Sequence, residues 1–239
     1  MEIEIKLAPV PGETGRRIIE SEPIYIGESS VIEMNASYYD TPSRALKKQG
    51  VSLRLRREND VSVCCLKMRV SDIARQEFEV RAGSIAEGIA ALCALDGISD
   101  DIKTLITTAP LECLYSSRYL RLCRLASSNG SLIEVAYDKG ELYRGELSCA
   151  VSEVELELKE GETAELEALC AYLQAKYRLT RSNSTKAGRA SALTEENFGV
   201  LAVSDPAASV EDTYQAYLMG ALWKKQSAEG VEYRKSGKY

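Results

Sequence analysis

Charge alternates with apolar side chains at a period of two in segment after segment, and in most of these segments the charges share one sign. Residues 1–8 (MEIEIKLA) place Glu2, Glu4 and Lys6 on one face and Ile3, Ile5 and Leu7 on the other. Arg54/Arg56, Glu77/Glu79 and Glu153/Glu155/Glu157 repeat the pattern, each opposite an apolar face: Leu53/Leu55, Phe78/Val80 and Val154/Leu156. Lys67 lies on the hairpin mate of 51–58. A period of two is that of a β-strand, whose successive side chains point to opposite faces.

A sheet with one charged and one apolar face has two solutions. The apolar faces can meet in a core with the charges in water. Alternatively the sheet curls around its charges and helices cover the outside. Like charges at i, i+2 on one strand, and beside like-charged neighbours, repel. A ligand that takes both signs at once offsets that cost. Phosphate oxygens call for Arg and Lys, Arg for its bidentate fork. A divalent cation calls for a few carboxylates. A barrel of about eight strands has room for only one small ligand. An acidic and a basic half facing across a narrow lumen is therefore a site for a metal–polyphosphate.

The remaining elements follow from local signals. Strands are predicted at 36–41, 51–58, 61–70, 74–81, 117–125, 131–138, 141–146 and 152–159, with turns at Asn59-Asp60, Asn129-Gly130 and Lys139-Gly140. Helices are predicted at 14–22, from Pro42 to about Gln49, at 84–96, 100–108, 163–177 and 185–193. Residues 199–209 read as a linker and 210–226 as a further helix with Tyr214, Tyr217, Leu218, Ala221 and Leu222 on one side. The expected division is a domain over 1–198, a linker over 199–209 and a helical segment over 210–239.

Composition removes several chemistries. The 239 residues contain no histidine, which excludes Ser-His-Asp and Cys-His catalysis. The seven cysteines (64, 65, 93, 113, 123, 149, 170) lack C-x-x-C spacing, so reduced thiols in a cytoplasmic protein are expected. A net charge of −6 argues against general nucleic-acid binding. Neither a leader peptide nor a run of apolar residues long enough to span a membrane is seen, so no membrane partner is expected. A homodimer is compatible with the sequence.

In order along the chain come E-I-E-I-K (2–6), Y-Y-D-T-P (38–42), L-x-x-x-G-x-x-L-R-L-R (46–56), L-K (66–67), R-Q-E-F-E (75–79), Y-D-K-G-E (137–141), E-V-E-L-E-L-K (153–159) and S-T-K-A-x-R (184–189). This series resembles the CYTH superfamily, the triphosphate tunnel metalloenzymes, over about residues 1–195. It is most similar to bacterial inorganic triphosphatases in which a helical CHAD domain follows. The residues after 209 are too few for that domain, so the CHAD part is expected to be truncated or absent.

The resemblance implies an α+β fold built on an eight-stranded antiparallel tunnel with a charged interior, helices outside, Mg²⁺ or Mn²⁺ as cofactor, and a small-molecule triphosphate as substrate. It also implies roles. Glu2 and Glu4 would bind metal or hold its waters, with Glu153 and Glu155 completing the acidic side. Lys6, Arg54, Arg56, Lys67, Arg118 and Lys186 would grip phosphates. Glu77, Glu79 and Asp138 would orient these groups or a second metal. Glu4, Lys6 and Lys67 are the catalytic candidates. Arg118 and Arg121 fall on opposite faces of their strand, and Arg118 is the one carried over. Glu157 and Arg189 are outer candidates.

Taken singly, some of these residues have plainer readings. Lys186 is a solvated helix lysine, Asp138 a turn residue, Tyr38 and Tyr39 strand packing, and Glu162/Glu165/Glu167 a solvated helix face near a helix N-terminus. On the same scaffold, a class IV adenylyl cyclase or a thiamine triphosphatase is the alternative enzyme. A polyphosphate-binding module is the non-enzymatic one.

Overall fold

The sheet closes on itself. In the computed structural model, which describes residues 1–10 and 13–193, the strands are β1 (Glu2–Leu7), β2 (Tyr25–Asp40), β3 (Val51–Glu58), β4 (Val61–Arg69), β5 (Ala74–Arg81), β6 (Glu112–Ser128), β7 (Ser131–Arg144), β8 (Leu147–Glu160) and the short β9 (Arg181–Ser182). All pairings are antiparallel, in the order β5-β4-β3-β2-β6-β7-β8-β1. β1 then pairs back onto β5 through Glu2↔Arg75 and Ile3↔Ala74 and completes an eight-stranded barrel. β9 adds to β1 beyond the ring. The α+β barrel that the family resemblance implies is the fold observed.

The apolar faces point outward and are covered by helices, as the second solution requires. Ile5, Leu7, Ile133, Val135, Val154 and Leu156 pack under α1 (Thr14–Ser21) and α5 (Thr163–Tyr177), through Ile18, Ile19, Leu166, Leu169 and Leu173. On the other side, Leu53, Cys64 and Leu66 pack under α2 (Ala45–Lys48), α3 (Ile85–Cys93) and α4 (Asp100–Thr108), through Leu46, Leu92, Ile102 and Ile106. Each fully buried aliphatic side chain contributes about 1.5–3 kcal/mol. The barrel is therefore held from outside by hydrophobic contact, and its lumen is left for polar groups. Among the described residues, no helix is long and apolar enough to cross a membrane.

The last helix, α6 (Lys186–Ala192), is placed differently. Ala190 and Leu193 pack on Leu142, Cys149 and Val151. These share the pleat of Asp138 and Glu153, so they line the barrel's interior at the β7–β8 hairpin end. α6 thus fills part of one end of the lumen, and Arg144 ties it down by donating to the carbonyls of Ser191 and Leu193.

Three sequence expectations are corrected. Lys139-Gly140 is not a turn, because 131–138 and 141–146 belong to the single strand β7, which turns at Gly145. Gly140 is needed there because a Cβ would lie 2.2 Å from the Arg118 carbonyl oxygen and 2.4 Å from the Tyr119 Cα on β6. The strand predicted at 36–41 begins at Tyr25, and a register shift between Ile26 and Ser30 breaks the alternation that would have revealed its first half. The helix after Pro42 is one short turn, Ala45–Lys48. The predicted linker 199–209 and helix 210–226 lie outside the described residues.

Candidate active site

The inward faces of the eight strands converge on one cavity of ≈ 670 Å³. Glu2, Glu4 and Lys6 of β1, Arg54 and Arg56 of β3, Lys67 of β4, Glu77 and Glu79 of β5, Glu155 and Glu157 of β8, and Lys186 of α6 all line it. In a ring of eight, β3 and β4 stand opposite β8 and β7. Arg54, Arg56 and Lys67 therefore face the carboxylates of β8 and β7 across the lumen.

The acidic wall is densest where β7 meets β8. The carboxylates of Asp138, Glu153 and Glu155 lie within 4.8 Å of one another, as a metal site would require. Cations already engage them. Arg121 donates to both oxygens of Asp138 at 2.8 Å and also to Glu155. Lys6 donates to Glu155 at 2.6 Å. Lys186 lies 2.6 Å from Asp138 and 2.9 Å from Glu155 and also donates to Glu153, which Arg189 holds from the other side. Four cations for three carboxylates make a neutralised block. Asp138 and Glu153 are completely buried within it and do not border the open cavity. Their arrangement is that of supports for Lys6, Arg121 and Lys186.

Electrostatics follow from that contact. Burial alone would depress Lys186 and Lys6, but the surrounding carboxylates outweigh it and hold both ammonium groups above their usual range. Glu155 is buried too, yet Lys186, Lys6 and Arg121 hold it well below the usual carboxylate range. On the far wall, Glu77 opposes its burial in the same way. Lys67 at 3.1 Å, the Cys65 thiol, which donates to it, and Arg54 at 3.5 Å hold it at about 2.

Glu2 behaves otherwise. Burial raises its carboxyl, Lys67 at 2.6 Å offsets part of the rise, and the neighbouring Glu4 and Glu77 add to it. Glu2, Glu4 and Glu157 each meet one cation, Lys67, Lys6 and Lys159, and face open space. This donor set has negative charge to spare. On the basic wall, Nε of Arg54 and of Arg56 are buried with no acceptor among the described residues.

Arg118 is a correction. It is half exposed on the outside of β6, 3.6 Å from Glu33, and does not touch the cavity. Arg121 takes the tunnel position. Lys186, read singly as a solvated helix lysine, is buried. Sequence reasoning assigned no role to Lys159 or Glu134, although both line the cavity. Lys159 carried a signal as the end of E-L-E-L-K, whereas Glu134 is a single charge in an otherwise apolar run.

The depressed carboxyls predict the acid limb of stability. A carboxyl held low by the fold contributes stability that is complete above its ordinary value near 4.5 and lost as pH falls through the folded value. Glu77, Glu153 and Glu155 are of this kind, while Glu2 and Glu79, raised by burial, act in the opposite sense. Calorimetry is expected to show a Tm that changes little between about pH 7 and 5 and falls steeply below about 4. In Glu77→Gln that fall should be shallower. An unchanged slope in the variant would remove Glu77 from the account.

The family model of the CYTH domain matches residues 1–191. The chain belongs to the CYTH family. A curated relative, the inorganic triphosphatase of Haemophilus influenzae, is 29% identical over 206 residues, which cover 82% of this chain and 56% of that protein. The chain thus spans little more than half the length of that relative. Among solved structures, a Hippeastrum protein named for adenylyl cyclase and described as having a dominant triphosphatase activity superposes with a TM-score of 0.50. Its identity is 18%, over 83% of this chain and 100% of that one. A conserved protein of Pyrococcus furiosus gives 0.48 at 14% identity, over 77% of this chain and 97% of that one. At 18% identity the Hippeastrum structure shows a shared fold and nothing about substrate.

Proposed function

We propose that this chain hydrolyses a triphosphate, inorganic tripolyphosphate foremost, with Mg²⁺ or Mn²⁺ as cofactor. The observation that carries the reading is the cavity itself. Guanidinium groups on β3 whose Nε atoms have no acceptor among the described residues face a wall of carboxylates on β1 and β8 that has charge to spare. The family membership and the curated triphosphatase relative support it.

The donor set fits a hard divalent cation, which takes carboxylate oxygens and keeps several waters. Glu2, Glu4 and Glu157 would hold it, with Glu155 at the margin. Bound there, it would polarise a phosphoryl oxygen and make a nearby water more acidic. Arg54, Arg56 and Lys67 would donate to the phosphate oxygens and stabilise charge on the transferring and leaving groups. Arg121, Lys6 and Lys186 are fixed in place by Asp138, Glu153 and Glu155, so these cations need no reorganisation as the reaction proceeds. With no histidine in the chain, a cavity carboxylate is left to accept the proton of the attacking water.

The test is phosphate release from tripolyphosphate, ATP and thiamine triphosphate, each with Mg²⁺, with Mn²⁺ and with EDTA. Release of phosphate from tripolyphosphate, abolished by EDTA, is expected. Cyclic AMP formed from ATP would move the reading to a cyclase. Binding of tripolyphosphate without release under any condition would leave a polyphosphate-binding module.

A further inference from the structure

The two ends of the cavity carry opposite charge, and we propose that the polyanion enters and leaves through only one of them, the end ringed by Lys47, Arg69 and Arg75. The cavity lining reaches exposed residues at both ends. One end lies where β3 begins and β4 stops, and α6 fills the β7–β8 side of it and leaves the β3–β5 side to the rim. There Lys47, Arg69 and Arg75 border the opening, with Asp72 the sole carboxylate among them. The other end lies where β3 and β5 finish and β7 begins. There Glu58, Glu79, Glu134 and Glu157 border it, against Arg56 and Lys159. Among the described residues, one rim has two positive charges in excess and the other two negative.

The rim cations are available to an arriving anion. Among the described residues, Lys47 Nζ donates only to the Ser191 hydroxyl, at 2.8 Å. Arg75 donates to the carbonyls of Ser71 and Ala74, at 2.7 and 3.0 Å, and meets no carboxylate. Arg69 pairs with Asp72 at 2.6 Å, but both side chains are mostly exposed, and such a pair is weak enough to exchange partners. At the acidic rim the two cations are committed: Arg56 to Glu58 and Glu79, and Lys159 to Glu157. A multiply charged anion approaching that rim meets net repulsion. Low-dielectric walls focus both fields along the lumen, and steering of this kind changes association rates by roughly 10–10³-fold. The same asymmetry draws cations to the acidic rim.

This inference rests on the triphosphate reading, and the experiment keeps the two apart. Full-length wild type, Lys47→Glu/Arg69→Glu and the neutral Lys47→Gln/Arg69→Gln would be compared by stopped-flow tyrosine fluorescence as they bind tripolyphosphate without metal. Tyr38, Tyr115 and Tyr119 line the cavity and report occupancy. Arg75 is left unchanged because its guanidinium ties down the 71–74 turn. At low ionic strength the association rate is expected to fall about tenfold in the reversed variant and by less in the neutral one, the difference vanishing near ~1 M salt. With metal, KM rises and kcat is held. Wild-type association rates and salt dependence in the reversed variant would overturn the assignment of the entrance while leaving the hydrolytic reading intact. A wild-type chain that binds tripolyphosphate but never cleaves it would overturn hydrolysis, and the association rates alone would then judge the entrance. A wild-type chain that binds no tripolyphosphate would overturn both.

Discussion

Glu4→Gln is expected to lower tripolyphosphate turnover by a factor of about 10²–10³ while leaving the protein folded. Glu4 faces the open cavity, and its ion-pair partner Lys6 keeps a second carboxylate, Glu155, at 2.6 Å. Removing the charge therefore strands no buried cation. It does strip one of the three carboxylates that each meet a single cation, so the metal concentration for half-maximal activity should rise together with the fall in kcat. Titrations with Mg²⁺ and Mn²⁺ of wild type and variant, beside matched thermal melts, check both parts. Near-normal turnover at saturating metal would take Glu4 out of the chemistry.

Lys186→Met should strike stability hardest. Its ammonium serves Asp138, Glu153 and Glu155 at once, and two of those three are completely buried. Without it Asp138 keeps only Arg121 and Glu153 only Arg189, while Glu155 keeps Lys6 and Arg121. Removing one partner from a buried ion-pair network costs about 3–5 kcal/mol, which for a domain of this size lowers Tm by roughly 10 °C. Lys186→Arg should recover part of the loss. The comparison is Arg118→Ala, on the outer surface, expected within about 0.5 kcal/mol of wild type and fully active. A Lys186→Met melt matching that of Arg118→Ala would mean that the buried block is not held as described.

The charged faces were legible because the pleat has a period of two and the charges keep to it, and the motif series chose the closed barrel over an open sheet. Glu2/Glu4/Lys6, Arg54/Arg56 and Glu153/Glu155 all turn inward, and their aliphatic neighbours meet helices. The exchange of Arg121 for Arg118 was avoidable by the same rule. Arg118 shares its face with Leu120 and Leu122, and the apolar face is the outer one. What lay beyond sequence reasoning came from tertiary placement. Lys186 reads as a surface lysine until α6 folds into the barrel end. Gly140 reads as a turn until β6 passes within a methyl group's width. The crowding of Asp138, Glu153 and Glu155 by four cations depends on α6 and β6 arriving from distant parts of the chain.

The wall closes through β1, whose Lys6 meets Glu155, 149 positions later in the chain. On a ribosome the first strand must therefore wait, its aliphatic face uncovered, until nearly the whole barrel has been synthesised. Contacts of such long sequence separation are made late and slowly. The basic hairpin of β3 and β4 can form early, but the acidic groups of β1 cannot take their places until β8 exists. The ability to bind metal and phosphate together should thus appear in one late step of folding, when the ring shuts.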